Sequence, residues 1–526
     1  MNHMDQLRPV CVCNMMLLSV FLILTNELWM HGRIYALDTL ERQLLAARLP
    51  RGWELREALE KLDKDLYDNG PSPERPFVSA LKNPCWAAKA KADDGELNCL
   101  PYAMVMGGFH CGAASLWQAL YKHPLVVKSD VSRWHFWAEM DKTMSGYLAG
   151  TSRAATRIAA WPLQIDAAAK GAGGSGAASL GFGEGGSVAW LRRQQKILLD
   201  GSSSTFAFYW SPNVRAHRAF VKAMVPCWES CHKAHREGAE RESCLEDCYA
   251  TARQADRQLA ANLGLPYNEI SLPLLVSAVY GRRPPKMVVL VRNPVDRLYS
   301  AYWRYGHYRD KFGPTPEGFE TYAREQLTAL KDCMNRNGSE SEISCLLHFE
   351  TWGLKEERLY FHADQLLRGV YSVWLEIWLK FFDRKDLLVV RSEDFFADPV
   401  DVYSRVAEWL GLDLSAIDYH ARIERLGKAK TPEEAAQAMQ APIDDKLWNE
   451  IRQILLRGER DDVLRYEFNA RQAKLAAQGQ QKQGDSGGGR PPMLAAIRRE
   501  LTEFYAPYNQ RLAQLLEDPN FIRGWD

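Results

Sequence analysis

The sequence predicts an α/β protein with a central, mostly parallel sheet flanked by helices on both faces. Two stretches carry that prediction. Met287 to Val291 is an unbroken apolar, largely β-branched run, the mark of a strand buried on both faces. It stops at Arg292-Asn293-Pro294, where proline ends ladder pairing and suits the first turn of a helix. Far upstream, Leu100 to Met106 is a second apolar run. Gly107-Gly108 and Gly112 follow it, then a helix-like stretch to Leu120 that His123-Pro124 ends. Strand, turn and helix in succession form the repeating unit of a parallel sheet.

Both turns have the chemistry of anion capture. At the second, Arg292, Arg297 and Ser300 offer planar guanidinium forks and a hydroxyl at a helix N-terminus, where the dipole favours a phosphate. At the first, Gly108 and Gly112 let backbone amides approach an anion closely. Ala113, Ala114, Ser115 and Leu116 open the helix, and Ser115 adds a hydroxyl. The GxxxxGK[ST] pattern is absent and no paired-carboxylate Mg²⁺ site is evident, which argues against a nucleotide kinase. No metal cofactor is expected.

In combination the two turns resemble those of the sulfotransferases that use PAPS (3′-phosphoadenosine 5′-phosphosulfate). That family has a first loop K-x-G-T-T-x-L for the 5′-phosphosulfate and a strand–RNPxxRxxS–helix for the 3′-phosphate. Further stretches extend the similarity. His135-Phe136-Trp137 sits where the family has its acceptor-side K-E-x-H-F/W-W segment, and Asp200 to Thr205 resembles a strand-end D-x-S-x-S/T turn. Leu387 to Phe395, Asp398-Pro399 and Trp409 to Leu412 are similar to the family's late strand, E-D turn and F-L-G-L helix end. Met493-Leu494, Leu501 to Asn509 and Leu512 to Leu516 resemble the C-terminal segment of the Golgi branch that acts on N-acetylgalactosamine 4-sulfate, the 6-O-sulfotransferases.

The resemblance covers most of residues 98–526 and implies a P-loop-like sulfotransferase fold. It also implies an activity: transfer of the sulfuryl group from PAPS to a hydroxyl of a chondroitin- or dermatan-like glycan, or of another sulfated polysaccharide, leaving PAP. By the same resemblance Gly108, Gly112, Ala113, Ala114, Ser115, Leu116, Arg292, Arg297 and Ser300 are expected to hold the cofactor.

Two departures bear on catalysis. Aligning the loop at His110 puts histidine where the family has its sulfuryl-transfer lysine, and alanines where it has threonines. A protonated imidazole there could replace the lysine's positive charge. Arg133 stands where the family has its general-base glutamate, and arginine cannot accept a proton. His110, His135 and Glu139 are the nearby candidates; His110 and His135 are taken as the catalytic residues. The alternative is a catalytically degenerate relative that binds PAP or a glycan without turnover.

At 526 residues the chain has room for one large catalytic domain with appendages. Its formal net charge is zero, which leaves no global basic field for nucleic acid. Basic clusters at Arg192-Arg193 with Lys196, at Arg215 to Lys222 and at Arg304 to Lys311 read as solvated faces or as surfaces for an anionic glycan.

The N-terminus sets the expected compartment. Residues 1–9 read as a cytosolic tail and 10–30 as a signal-anchor transmembrane helix, since no small-x-small cleavage site follows. A cleaved signal peptide is the alternative. The expected result is a single-pass type II Golgi membrane protein with a lumenal catalytic domain. Residues 31–97 then read as a stem and 98–526 as the domain. Insertions are expected at 167–186 (low complexity), 213–262 (a helical hairpin) and 478–492 (a flexible loop).

Cysteine spacing suits the lumen. Cys227 with Cys231, and Cys244 with Cys248, each share one helix face; Pro226 is expected to start the first helix and Gly238 to mark the turn. An antiparallel hairpin would join Cys227 to Cys248 and Cys231 to Cys244, with a four-thiolate zinc site as the alternative. Cys85–Cys99 and Cys333–Cys345 are expected disulfides, with Cys111 unpaired. Asn337-Gly338-Ser339 is a glycosylation signal expected on an exposed loop.

Overall fold

The computed structural model describes residues 49–88, 96–139, 141–171, 191, 194–208, 215–337, 341–360, 365–457 and 491–525. The expected anchor 10–30, residues 172–186 of the low-complexity stretch, Gly338-Ser339 and residues 478–490 lie outside these. Among the described residues no helix is long and apolar enough to cross a membrane.

A short antiparallel hairpin, β1 (Cys85–Ala87) and β2 (Leu97–Cys99), precedes the main sheet. The main sheet consists of β3 (Ala103–Val105), β4 (Val126–Val127), β5 (Ile197–Asp200), β6 (Lys286–Val291) and β7 (Leu387–Arg391). Their order is β4-β5-β3-β6-β7 and every pair is parallel, as the sequence predicts. The first of these strands lies in the middle. The chain fills one side with β4 and β5, then crosses to β6 and β7. That reversal opens a crevice beyond the carboxyl ends of the central strands. Both predicted anion turns leave the sheet there.

Burial explains the strand sequences. From Met287 to Val291 every residue of β6 is fully enclosed, so no polar alternation is needed. In β5, Ile197 and Leu199 join one apolar cluster while Leu198 joins another with Val127, Ala154 and Ile158. Successive side chains of a strand point to opposite faces, so both faces of the sheet are covered.

The expected stem is corrected from Arg51 onward, because Arg51–Asp526 is one compact unit. Leu55, Leu59, Leu62 and Leu66 recur at helical spacing on α1 (Arg56–Leu62), the turn before it and α2 (Lys64–Asn69), and all are buried. Such a stripe needs a core to cover it. Asp63 caps α2 and pairs with Arg215 at 2.9 Å and Arg218 at 3.1 Å, and Arg51 Nε donates to the Lys380 carbonyl. The domain therefore begins near Arg51 rather than at residue 98.

Four helices matter next: α3 (Ala113–Leu120), α4 (Met144–Gly171) and the pair α5 (Arg218–Ala234) with α6 (Ala239–Asn262). Helix α4 runs into the first residues of the expected 167–186 insertion. The α5–α6 pair is the expected hairpin, turning at Gly238, with disulfides Cys227–Cys248 and Cys231–Cys244. The zinc alternative loses its thiolates to these bonds. Pro226 lies inside α5 instead of starting it. It sits on an exposed part of the helix, where the carbonyl that loses its partner can bond water. Cys85–Cys99 and Cys333–Cys345 are also bonded, and Cys111 is free and buried.

Candidate active site

The first turn is built by close approach. Gly107 (φ +74°) lies where a Cβ would come within 2.8 Å of the Ser203 Cβ. At Gly108 a Cβ would meet the Leu290 carbonyl oxygen at 2.7 Å, and Gly112 (φ +81°) packs against Phe395 and Phe396. Only glycine fits these positions without displacing backbone or rings. His110 adopts φ +63°, a left-handed conformation that costs energy for a residue with a Cβ. Helix α3 begins at Gly112 with no side-chain cap; the Gly112 carbonyl accepts from Ser115 N at 3.1 Å and Leu116 N at 3.3 Å. Ala114 is exposed and Ser115 half-buried beside it, while Ala113 and Leu116 turn into the core.

The second turn meets the first. Past β6, Arg292 Nη1 donates to the His110 carbonyl at 3.3 Å. Three further helices complete the frame, α7 (Pro294–Arg304), α8 (Tyr371–Phe381) and α9 (Ser392–Ala397), and the Tyr371 hydroxyl at the start of α8 donates to the Arg292 carbonyl at 2.9 Å. Asn293 caps α7 through Val295 N at 3.0 Å. The Ser392 hydroxyl lies 2.8 Å from the Cys111 carbonyl and 2.9 Å from that of Val291, tying the end of β7 to both turns. The Cys111 thiol is enclosed, and burial pushes it up to about 11, so it is no nucleophile at neutral pH.

Arg297, expected beside Arg292, is corrected. It is fully enclosed; its Nη1 donates to Gln365 Oε1 at 3.2 Å and its Nη2 to the Gln365 carbonyl. A buried guanidinium needs oxygen partners, and Gln365 supplies two. Ser300, on the same helix, is 5% exposed.

His135 comes to the crevice from the turn after β4. Its φ is +56° and its backbone N–H donates to Ser202 Oγ at 3.0 Å. Its Nδ1 lies 2.7 Å from Ser204 Oγ. The Asp200–Thr205 turn that provides both serines is itself braced. Asp200 Oδ1 accepts from Ser202 N at 2.7 Å, and Tyr147 donates to Oδ2 at 3.1 Å. Burial raises the Asp200 carboxyl to about 6. Burial also holds the His135 imidazole below its ordinary range; Glu139 opposes this, while Lys142, Arg133 and Arg368 add to it. Because Ser203 is the neighbour of Gly107, this turn and the glycine loop touch.

The other candidates are placed elsewhere. Glu139 is paired with Lys142 at 2.6 Å. Arg133 is exposed, with its guanidinium 5.1 Å from the Trp117 ring. The His110 ring stands edge-on to Tyr305 at 5.6 Å.

Sequence reasoning missed one cation. Arg368, 4% exposed, places its guanidinium 3.9 Å from the centre of the Phe109 ring and acts on His135. It belongs to a tight turn, Leu367–Gly369, wedged by α10 (Ala495–Leu515): the Tyr505 hydroxyl donates to the Leu366 carbonyl at 2.7 Å. Nothing in the apolar stretch around it marks Arg368 in the sequence, because its neighbours in space are distant along the chain.

Residues 270–481 match the family described as sulfotransferase domain, a span that includes the Arg292–Ser300 turn and begins after the glycine loop. The chain is 24% identical over 236 residues to carbohydrate sulfotransferase 15 of Mus musculus and 23% identical to that of Homo sapiens. Each alignment covers 45% of this chain and 30% of the relative, so the chain spans less than a third of those proteins. A sulfotransferase structure from Alicyclobacillus acidocaldarius is 14% identical, covering 80% of this chain and 96% of that one at a TM-score of 0.29. The chain is thus similar to the sulfotransferase domain over residues 270–481, and to carbohydrate sulfotransferases over part of its length, the class of protein that the sequence motifs resemble.

Proposed function

We propose that this protein transfers a sulfuryl group from PAPS to a hydroxyl of an anionic glycan, of chondroitin or dermatan type, in the Golgi lumen. Residues 10–30 would anchor it there, and the four disulfides suit an oxidising compartment. The observation that carries the reading is the junction of the two anion turns at Arg292 and the His110 carbonyl.

The residues present fit a doubly phosphorylated nucleotide. Gly108 and Gly112 let the loop backbone pack closely on Leu290 and on the Phe395 and Phe396 rings, α3 opens with no side-chain cap, and Arg292 with Ser300 supplies a cation and a hydroxyl. When bound, PAPS supplies the sulfuryl group for in-line displacement. His135 is the general base: Nδ1–H donated to Ser204 leaves the Nε2 lone pair to take the acceptor's proton. Arg368, in the wall of the same loop, provides permanent positive charge where the family lysine is missing, with His110 beside it on the loop.

The test is transfer of radiolabelled sulfate from PAPS to a panel of chondroitin and dermatan acceptors by the purified chain. Transfer to at least one acceptor is expected. Absence of transfer to all of them, with PAP still bound in calorimetry, would favour the degenerate reading, which the exposed Arg133 at the family glutamate position motivates.

A further inference from the structure

We infer that a basic cleft at the β4 edge of the sheet is a second, non-catalytic binding site for the sulfated or carboxylated polymer chain of the acceptor. The inference deepens the proposed function and rests on it for the identity of the polymer. The cleft has a volume of about 500 Å³ and follows Val126 and Val127, between the C-terminal end of α3, α4 and the helix His420–Leu426.

Its charge is one-sided. Six lysine and arginine side chains line it against two glutamates. Both glutamates are engaged, Glu450 by Lys122 at 3.2 Å and Glu424 by Lys428 at 3.7 Å. That leaves Lys128, Arg157, Lys196 and Lys446, which have no ion-pair partner among the described residues. Lys196 is the innermost. Its Nζ lies 4.4 Å from the centre of the Trp161 ring and fills the space that a side chain at Gly427 would take. Burial, with the charge of Arg157 added and that of Glu424 opposing, pushes its ammonium down to about 8. A cluster of like charges, three exposed around one half-buried lysine and outnumbering the acids beside them, is stabilised by an incoming anion.

Position sets the size of that anion. Helix α3 starts at the glycine loop and ends at the cleft, and its eight residues span about 12 Å. A sugar residue reacting at the loop does not reach the cleft, whereas a chain of several residues does. Polymer held at the β4 edge would raise the local concentration of acceptor hydroxyls at the crevice. Long acceptors should then bind more tightly than short ones of the same repeat.

The test uses the full chain without PAPS, so it does not depend on transfer. Binding of chondroitin sulfate polymer and of its sulfated disaccharide is measured by calorimetry at two salt concentrations, for the wild type and for Lys196→Gln with Lys446→Gln. The double variant should bind polymer roughly tenfold more weakly and with a flatter salt dependence, with disaccharide binding unchanged. Arg157→Gln with Lys128→Gln, at less enclosed positions, serves if the first pair fails to fold, and the same loss is expected. Undiminished polymer binding in a folded variant overturns the inference. Equal competition by a DNA duplex of matched charge also overturns it, by showing a general polyanion surface.

Discussion

The Arg292 guanidinium and the His110 carbonyl oxygen, 182 positions apart, are joined by a hydrogen bond of 3.3 Å. This single contact locks the strand end that offers a cation to the loop that offers backbone amides. On the proposed function Arg292 has two tasks, to pair with an anion and to hold the shape of the loop that receives it.

Arg292→Ala should remove both. A lost charge-assisted pair costs about 1.5–3 kcal/mol of PAP affinity. Ser300→Ala removes a neutral hydroxyl and should cost about 1 kcal/mol. Calorimetric titration with PAP checks both, and wild-type affinity in Arg292→Ala would show that the 3′-phosphate binds elsewhere.

The His135 imidazole has a lowered pKa, so it is neutral at neutral pH and gains its proton only as pH falls through that lowered value. Its proposed service as base is thus complete above the ordinary histidine range and lost on the acid side. The pH profile of kcat/KM should hold level from about pH 8 to about pH 6.5 and fall below that. His135→Ala should lower the rate about 10²- to 10⁴-fold and abolish the acid limb. Ser204→Ala, which frees the tautomer, should lower it less. An acid limb that survives in His135→Ala assigns the base to another group.

Arg368→Gln should reduce kcat by about 10²-fold or more while PAP affinity changes little, since the charge is needed where negative charge develops. His110→Lys, which restores the family residue, should keep or raise the rate, and should partly rescue Arg368→Gln. If Arg368→Gln turns over like the wild type, the loop's cation is not Arg368.

Peptide mapping without reduction should recover Cys227 linked to Cys248 and Cys231 linked to Cys244. Replacing Cys227 and Cys248 with serine should lower stability by about 1–3 kcal/mol, read from denaturant unfolding, with PAP affinity unchanged. Free thiols with stoichiometric zinc would instead establish a metal site.

What was legible in the sequence was local. The apolar run of β6, the proline that ends it and the glycines after β3 each mark a turn through their own backbone requirements. The paired cysteines fixed the hairpin because i, i+4 spacing places them on one face. What was not legible depends on contacts between distant segments. The same motif brought Arg292 to the crevice and turned Arg297 inward, where distant segments supply Gln365 and Tyr505 as its neighbours. Ser392 and Arg368 acquire their positions from the ends of other strands and helices. The stretch after Arg51 reads as a stem because its amphipathic stripe does not say which surface covers it.

The wedge of Tyr505 beneath the Arg368 turn has a temporal meaning. A ribosome makes the glycine loop, both serines, Arg292 and Arg368 before it makes α10. Until Tyr505 arrives to hold the Leu366 carbonyl, the turn lacks the brace that aims Arg368 at Phe109. The anion turns are thus synthesised before the helix that braces their last positive charge. On the proposed function, the site could then bind before it could react.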